Sequence, residues 1–339
     1  MKKTSVSAIV VVVAMMVTSL LLFYENIEAA PSSGAKLYVY PAKIEDPLLV
    51  PGSTFWVNIT VYNVTSMHIC EFNLSFTPTI LGINAFLSLP VKGQYPLTDI
   101  NGNGAKGFIY AKLTYATPIT LPTTQAAMLT IKFTAKNYGF TLLHLHNSTL
   151  TDSNGYAIPH EVQDGSVRII KHDVAVAGAS PSVNETYVGR TIDIEVNVKN
   201  EGNIAENFTV SVFADGTLIG TSDVNNLATN ETRQLMFSWN TTDYAPSMTL
   251  YTINAQASVV PYEKNTANNV YIDGQVKIKI IGDVNGDGVV NIDDLNLWNA
   301  AYNSKKGDSN WNPQADINGN GLVDEEDGIL IIQHYKDHI

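Results

Sequence analysis

The chain has 339 residues and a net charge of −12, with 32 acidic against 20 basic residues. This balance argues against a nucleic-acid-binding protein, because a phosphate-binding surface needs clustered lysine and arginine. The single cysteine, Cys70, cannot form an internal disulfide, and its place in an apolar strand pattern indicates a buried hydrophobic side chain. The length is sufficient for two or three domains.

Residues 1–30 have the layout of an export signal. Two lysines precede an uncharged apolar run at residues 8–23, as in a secretory signal. The cleavage site is poor, because Ile27 and Glu28 stand where small residues are expected, and the run approaches the roughly 17–25 residues that span a bilayer. The segment is therefore a cleaved signal or an uncleaved N-terminal anchor. Both alternatives place the rest of the chain outside the cytoplasm, secreted or on the cell surface.

Residues 35–280 show period-two alternation, which predicts strands with one buried face. The clearest examples are Trp56–Asn63, Leu129–Lys136 and Thr191–Asn200. Turn sequences that contain Pro-Gly or Asp-Gly separate such runs. Many short strands without an amphipathic helix predict β-sandwiches. A restart of the pattern near residues 171–173 divides the stretch into two domains, each long enough to hold its own core.

The first of these domains, residues 36–170, resembles the cohesin family. The segments that carry the resemblance are VPGSTFWVNITVYNVTSMHICEFNLSFTPTILGINAF, from Val50 to Phe86, and the strand-rich stretch from Ala127 to Ile170. The resemblance implies a jelly-roll sandwich that binds dockerins, with a fold that is also similar to carbohydrate-binding sandwiches.

The second domain, residues 172–279, resembles the CARDB family, whose members are sandwiches of exported proteins related to cell adhesion. The resemblance rests on the segment from Asp173 to Thr221 and on the later NTANNVY, from Asn265 to Tyr271. It implies an immunoglobulin-like sandwich that acts as a spacer or adhesion module. The family has no catalytic residues to transfer to this sequence.

The remaining segment, residues 282–339, is strongly acidic, with eleven Asp or Glu against three Lys. Two twelve-residue stretches in it, 33 residues apart, follow the EF-hand loop pattern: oxygen ligands at alternate positions, glycine at the sixth and a closing aspartate. Calcium takes six to eight oxygen ligands, which side chains and one backbone carbonyl per loop can supply. The predicted ligands are Asp283, Asn285, Asp287, Val289, Asn291 and Asp294, then Asp316, Asn318, Asn320, Leu322, Asp324 and Asp327.

This acidic segment resembles the type I dockerins over its full length. Aspartate closes both loops where an EF-hand usually has glutamate, and no amphipathic helix precedes the first loop. Both departures fit a dockerin, which implies two loop-plus-helix halves, two bound Ca²⁺ ions and docking into a cohesin. The residues after the loops are predicted to form the docking face or, alternatively, to complete a small core: Leu295, Trp298, Tyr302, Ile331, His334 and Tyr335.

A similar sequence occurs outside this segment. Residues 99–104 and residues 316–321 share the hexapeptide Asp-Ile-Asn-Gly-Asn-Gly. After the first copy, Gly107 and Tyr110 occupy positions where a calcium loop needs ligands. We therefore predict that residues 99–104 form a loop of the first sandwich instead of a metal site.

The predicted fold is mainly β: a cohesin-like jelly roll, a CARDB or immunoglobulin-like sandwich, and a small α-helical domain of tandem EF-hand-like calcium loops. The predicted function is a non-catalytic extracellular adaptor, linked to systems that bind or degrade polysaccharide. Its partners would be cohesin- or dockerin-bearing proteins, including a second copy head to tail, with membrane contact only through the N-terminal segment. Two alternatives are a cell-surface adhesin and a carbohydrate-binding component, which would use aromatic residues Trp56, Tyr62, Tyr95, Tyr110 and Tyr115.

Overall fold

The computed structural model describes residues 34–339, so the predicted export segment at residues 1–30 lies outside the described residues. The first part of the described chain is all-β. Its strands are β1 (Ala35–Tyr40), β2 (Lys43–Ile44), β3 (Thr54–Tyr62), β4 (Met67–Ser75), β5 (Leu81–Ser88), β6 (Leu97–Asn103), β7 (Phe108–Ile119), β8 (Gln125–Ala135), β9 (Gly139–Thr151), β10 (His160–Gln163) and β11 (Gly165–Ile169).

These strands form two sheets around one core. One sheet has the order β10-β1-β3-β8-β5 and the other has the order β2-β11-β9-β4-β7-β6. Alternate side chains of β3, Val57, Ile59 and Val61, are fully buried, as the period-two pattern predicts. Phe72 and Phe133 enter the same core from β4 and β8. The prediction of a β-sandwich at the start of the chain is confirmed.

A second set of strands builds a separate sandwich with its own core. Its sheets have the orders β12-β14-β17 and β13-β19-β18-β15-β16. The predicted strand Thr191–Asn200 coincides with β14, and Trp239 is almost fully buried in this core. The strands are β12 (Val174–Pro181), β13 (Glu185–Tyr187), β14 (Thr191–Asn200), β15 (Glu206–Ala214), β16 (Thr217–Leu227), β17 (Thr232–Asn240), β18 (Tyr251–Ala257) and β19 (Val270–Lys279).

The C-terminal module contains two short helices, α1 (Ile292–Ala301) and α2 (Glu325–Gln333), and two short strands, β20 (Ser304–Lys305) and β21 (Leu322–Val323). The chain that leaves α1 pairs, as β20, with β21 in the second predicted loop. The chain that leaves α2 returns to the first predicted loop, where Val289 bridges His338 and the N–H of Val290 donates to the carbonyl of Asp337 at 2.9 Å. The segment that follows each helix therefore pairs with the loop of the other half of the module.

No helix among residues 34–339 is both long enough and apolar enough to cross a membrane.

The single cysteine gives a test of the first core. Cys70 is fully buried and burial raises the pKa of its thiol, because the thiolate is disfavoured away from water. We expect the native protein to react with a thiol reagent far more slowly than the protein in denaturant. Absorbance of a released chromophore would measure both rates, and equal rates would contradict the described core.

Candidate metal centre

Each predicted loop ends in a capping box at the start of a helix. The side chain of Asn291 accepts a hydrogen bond from the N–H of Asp293, and the side chain of Asp294 accepts one from the N–H of Asn291. Asp324 and Asp327 make the equivalent bonds at α2. A capping box satisfies N–H groups that the first helical turn leaves without partners. The last predicted ligand of each loop is thereby tied to the helix that follows.

The first loop is closed by its two terminal aspartates. Asp283 accepts hydrogen bonds from the backbone N–H groups of Gly286 and Gly288, at 2.7 and 3.1 Å. Asp294 accepts from the N–H of Asn285 at 3.0 Å, across the width of the loop. Both aspartates have 0% exposed surface. The loop is therefore curled around buried carboxylates.

The second loop repeats this arrangement. Asp316 accepts from the N–H groups of Gly319 and Gly321, at 2.9 and 3.0 Å. Asp327 accepts from the N–H groups of Ile317 and Asn318, at 2.8 and 3.0 Å. Both aspartates are buried.

The ligands at the third and fifth positions of both loops also have matching partners. Asn285 accepts from the N–H of Asp287, and Asp287 accepts from the N–H of Val289, both at 2.9 Å. The equivalent side chains of Asn318 and Asn320 accept at 2.9 and 2.8 Å. Such bonds, from a side chain to the N–H two residues on, fix tight turns. The predicted ligands at the third and fifth positions of each loop are therefore held by the loop's own backbone.

The buried aspartates fit a divalent cation. Within residues 34–339, none of the four that begin and end the loops forms a salt bridge with a lysine, arginine or histidine. Burial raises the pKa of Asp283 and of Asp327, because desolvation disfavours the charged carboxylate. A bound cation would offset that cost, and oxygen donors of this kind suit calcium.

The donor set is mixed. In the described part of the chain, no group of three or more His, Cys, Asp or Glu side chains is placed to hold a metal ion without other ligands. Each loop would therefore depend on amide and carbonyl oxygens beside its carboxylates. Calcium accepts such mixed oxygen donors, whereas metals that prefer nitrogen or sulfur ligands do not.

The structure corrects part of the predicted docking face. Ile331 has 0% exposed surface and lies in the core of the module, so its side chain is not available to a partner. Leu295 and Trp298 also pack against this core. The Trp298 ring N–H donates to the carbonyl of Asp324 at 2.9 Å, and the ring lies where a side chain on Gly328 would otherwise stand. These apolar residues fill the small core between the two halves.

The other predicted docking residues lie on or near the surface, but outside the helices. Tyr302 follows α1, and His334 and Tyr335 follow α2, so these three residues lie beyond the helical turns. Tyr335 is 41% exposed, and α2 adds Ile329 and Ile332, which are 52% and 63% exposed. Both isoleucines belong to the apolar run of residues 329–332, which is too long for a domain of this size to bury completely, but the sequence did not indicate which of its members are exposed.

The sequence analysis also missed four residues of the second sandwich that touch the loops. Tyr187, Arg190, Lys277 and Lys279 form a group that we call the basic clasp. Arg190 donates to the carbonyl of Asp316 at 2.7 Å. The alternation Lys-Ile-Lys-Ile at the end of β19 could have indicated that Lys277 and Lys279 share a face, but nothing near Arg190 signals a contact with the module.

Comparisons with known families agree with this organisation. Residues 281–335 match the family model of the dockerin type I domain. Residues 172–273 match the family model of CARDB. The resemblances predicted for these two parts of the chain are therefore confirmed, and type I dockerin domains typically bind calcium. No curated protein matches the chain.

Solved structures similar to this chain include cohesins. A non-cellulosomal cohesin from the hyperthermophilic archaeon Archaeoglobus fulgidus shares 16% identity, over 41% of this chain and 93% of its own, with a TM-score of 0.35. A type I cohesin–dockerin complex from Clostridium thermocellum shares 14% identity, over 42% and 98%, with a TM-score of 0.34. A type II cohesin dyad from the adaptor scaffoldin of Acetivibrio cellulolyticus shares 12% identity, over 72% and 93%, with a TM-score of 0.32.

The repeated hexapeptide adopts two different structures. Residues 99–103 lie in β6 and pair with β7, whereas residues 316–321 curl into the second loop of the dockerin-like module. In that loop Gly319 and Gly321 have positive φ angles of 76° and 91°. Gly104, the counterpart of Gly321, is not in this conformation.

This difference gives a test with a matched control. Gly321→Ala should weaken calcium binding about tenfold, because the left-handed conformation costs a non-glycine residue about 1–2 kcal/mol. The surrounding space is open, so backbone strain alone is measured. Calorimetric titration of the full chain with calcium measures the affinity.

Gly104→Ala, in the same hexapeptide of the first sandwich, should leave that affinity unchanged. Equal losses in the two variants would contradict the described loop.

Proposed function

We propose that this protein is a non-catalytic extracellular assembly protein whose dockerin-like C-terminal module docks in a calcium-dependent manner. The observation that carries the proposal is the pair of equivalent loops, each with buried first and last aspartates that form no salt bridge within residues 34–339. The match to the dockerin type I domain supports this assignment.

One calcium ion per loop would be held by the predicted ligands, Asp283 to Asp294 in the first loop and Asp316 to Asp327 in the second. The ion would supply the positive charge that the buried carboxylates need. Two ions offset +4 of the net charge of −8 at residues 282–339, where eleven acidic residues face three lysines. Because Asp294 and Asp327 also complete the capping boxes, a filled loop would fix the direction of the following helix.

The partner for this module would be a cohesin. The surface offered to it centres on the exposed Ile329 and Ile332 of α2, with Tyr335 beside them and Tyr302 and His334 at the helix ends. Exposed apolar side chains of this kind are typical of protein interaction sites. The module has a core of few residues, so it cannot bury these side chains itself.

The cohesin-like first sandwich would offer a binding site to a dockerin-bearing partner. A chain that carries both a dockerin-like module and a cohesin-like domain can associate head to tail, which gives rings or open filaments. The apolar run at residues 8–23 supports export, by a cleaved signal or with an anchor. Such an adaptor would serve systems that bind or degrade polysaccharide.

The carbohydrate-binding alternative has weaker support. Trp56 is exposed on β3 of the five-stranded sheet, whereas Tyr110 lies on β7 of the six-stranded sheet and Tyr115 is fully buried. Tyr110 and Tyr115 therefore do not share with Trp56 one face on which a sugar chain could stack. The adhesin alternative rests on the CARDB-like second sandwich and on an uncleaved N-terminus.

Calcium titration of the full chain tests the metal sites. We expect two equivalents to bind and helical circular dichroism to increase, because the ligand stabilises the folded module. The double variant Asp294→Asn/Asp327→Asn should lose this response, since each aspartate supplies both a predicted ligand and a capping box. A chain that binds no calcium at millimolar calcium concentration would overturn the proposal.

Sedimentation of the full chain at rising calcium concentration would measure head-to-tail association.

A second test separates docking from metal binding. Ile332→Asp places a charge at the centre of the exposed apolar surface of α2, so binding to a matching cohesin should fall by at least tenfold while calcium affinity stays the same. Surface binding measurements with immobilised cohesins report the first and calorimetry the second. Leu218→Asp, at an exposed leucine of the second sandwich, is the control and should bind like the original chain.

A further inference from the structure

We propose that the second sandwich positions the calcium loops: its basic clasp, Tyr187, Arg190, Lys277 and Lys279, holds both loops in their curled form. Arg190 and Lys277 act as positioning residues, since neither is a ligand. This inference rests on the proposed calcium binding and adds that the second sandwich sets its strength.

Arg190 holds the second loop. Its guanidinium donates to the carbonyl of Asp316 at 2.7 Å and also to the carbonyl of Ile317. These are the first two residues of the loop, and Asp316 is a predicted ligand through its side chain. Arg190 therefore contacts the backbone of a ligand residue and leaves its carboxylate free to face the interior of the loop.

Lys277 contacts the first loop through a different carbonyl. Its ammonium group donates to the carbonyl of Gly286, the fourth residue of that loop. Gly286 and its counterpart Gly319 both have φ of +76°, and both turn their open side toward the clasp. A Cβ on Gly286 would lie 3.5 Å from the Lys277 ammonium, and one on Gly319 would lie 3.3 Å from the Arg190 guanidinium. One sandwich thus places a cation beside the fourth position of both loops.

Tyr187 packs against Lys279 and Arg190 at the centre of the clasp. β13 pairs with β19 so that Tyr187 lies opposite Lys279, and the Lys279 ammonium is 4.7 Å from the tyrosine ring centre. The Arg190 guanidinium is 5.2 Å from the same ring. The Tyr187 hydroxyl donates to the carbonyl of Gln314 at 2.6 Å, just before the second loop. Both Tyr187 and Lys279 are almost fully buried between sandwich and module, so the contact is packed and not a loose surface pairing.

The clasp cations and the metal both favour the negatively charged loops. Each predicted ligand set contains three aspartates, so the ligand charge is −3 without metal and −1 with one Ca²⁺, and the neighbouring cation is still attracted, though less strongly. The expected coupling therefore comes from the loop conformation, since the carbonyls that the clasp contacts belong to the loop in its curled form. Metal binding and clasp contact therefore favour the same loop conformation, and thermodynamic linkage makes the effect reciprocal.

The test compares calcium affinity in the full chain with and without the clasp cations. Arg190→Gln/Lys277→Gln should weaken calcium binding by about fivefold or more, the lower end of typical coupling between sites. The conservative variant Arg190→Lys/Lys277→Arg should stay closer to the original affinity, because it keeps a charged donor at each loop. The control is Arg233→Gln, in the same sandwich, whose guanidinium contacts Asn225 and Glu231 and not the module.

Hydrogen exchange of the same proteins gives the reciprocal readout. In the original chain, removing calcium should speed exchange at residues 185–190 of the sandwich as well as in the loops. In the Gln variant this response at 185–190 should vanish, while exchange in the Trp239 strand stays slow and shows that the sandwich is folded. Unchanged affinity in the Gln variant overturns the positioning role. An original chain that binds no calcium overturns both this inference and the proposed function, so the two failures are distinguishable.

Discussion

The C-terminal module depends on one electrostatic constraint: it buries carboxylates at the first and last positions of two loops. Burying a charge without a partner costs several kcal/mol. A buried carboxylate is therefore protonated, paired with a cationic side chain or bound to a metal. Backbone N–H groups satisfy the hydrogen bonding of these carboxylates, but they do not cancel the charge. The two sandwiches have large apolar cores, and the buried carboxylates of Asp173 and Glu206 in the second one are paired with Lys171 and His172. The module alone therefore has a stability that depends strongly on solution conditions.

Much of the fold could be predicted from the sequence because the decisive signals are local. Alternation with period two placed β14 at its observed limits and indicated which residues of β3 are buried. Spacing alone likewise revealed the two loops. The sequence left open whether Ile331 faces the core or a partner, since a helix in so small a module has apolar residues on more than one side. Arg190 was missed for a different reason: its contact joins residues 126 positions apart, and no local pattern reports such a distance.

The repeated hexapeptide shows how far local sequence determines structure. Asp-Ile-Asn-Gly-Asn-Gly pairs as a strand when β7 is beside it, and curls when a closing aspartate bonds its backbone from the far side. Glycine permits both outcomes, because it adopts extended and left-handed backbone conformations at little cost. What decides between them is the sequence that follows: Asp324 and Asp327 after one copy, Gly107 and Tyr110 after the other. The first sandwich therefore needs no special residue to avoid forming a metal site.

The backbone pairing between the two halves of the module also determines how the module would respond to metal. The segment after α1 supports the second loop, and the segment after α2 supports the first. Neither half is complete alone, so ordering one loop also orders part of the backbone on which the other depends. If each loop binds one calcium ion, as we propose, we expect the two ions to bind cooperatively, with a steeper response to calcium than two independent loops would give. The two loops of the module would thus respond to calcium as one unit.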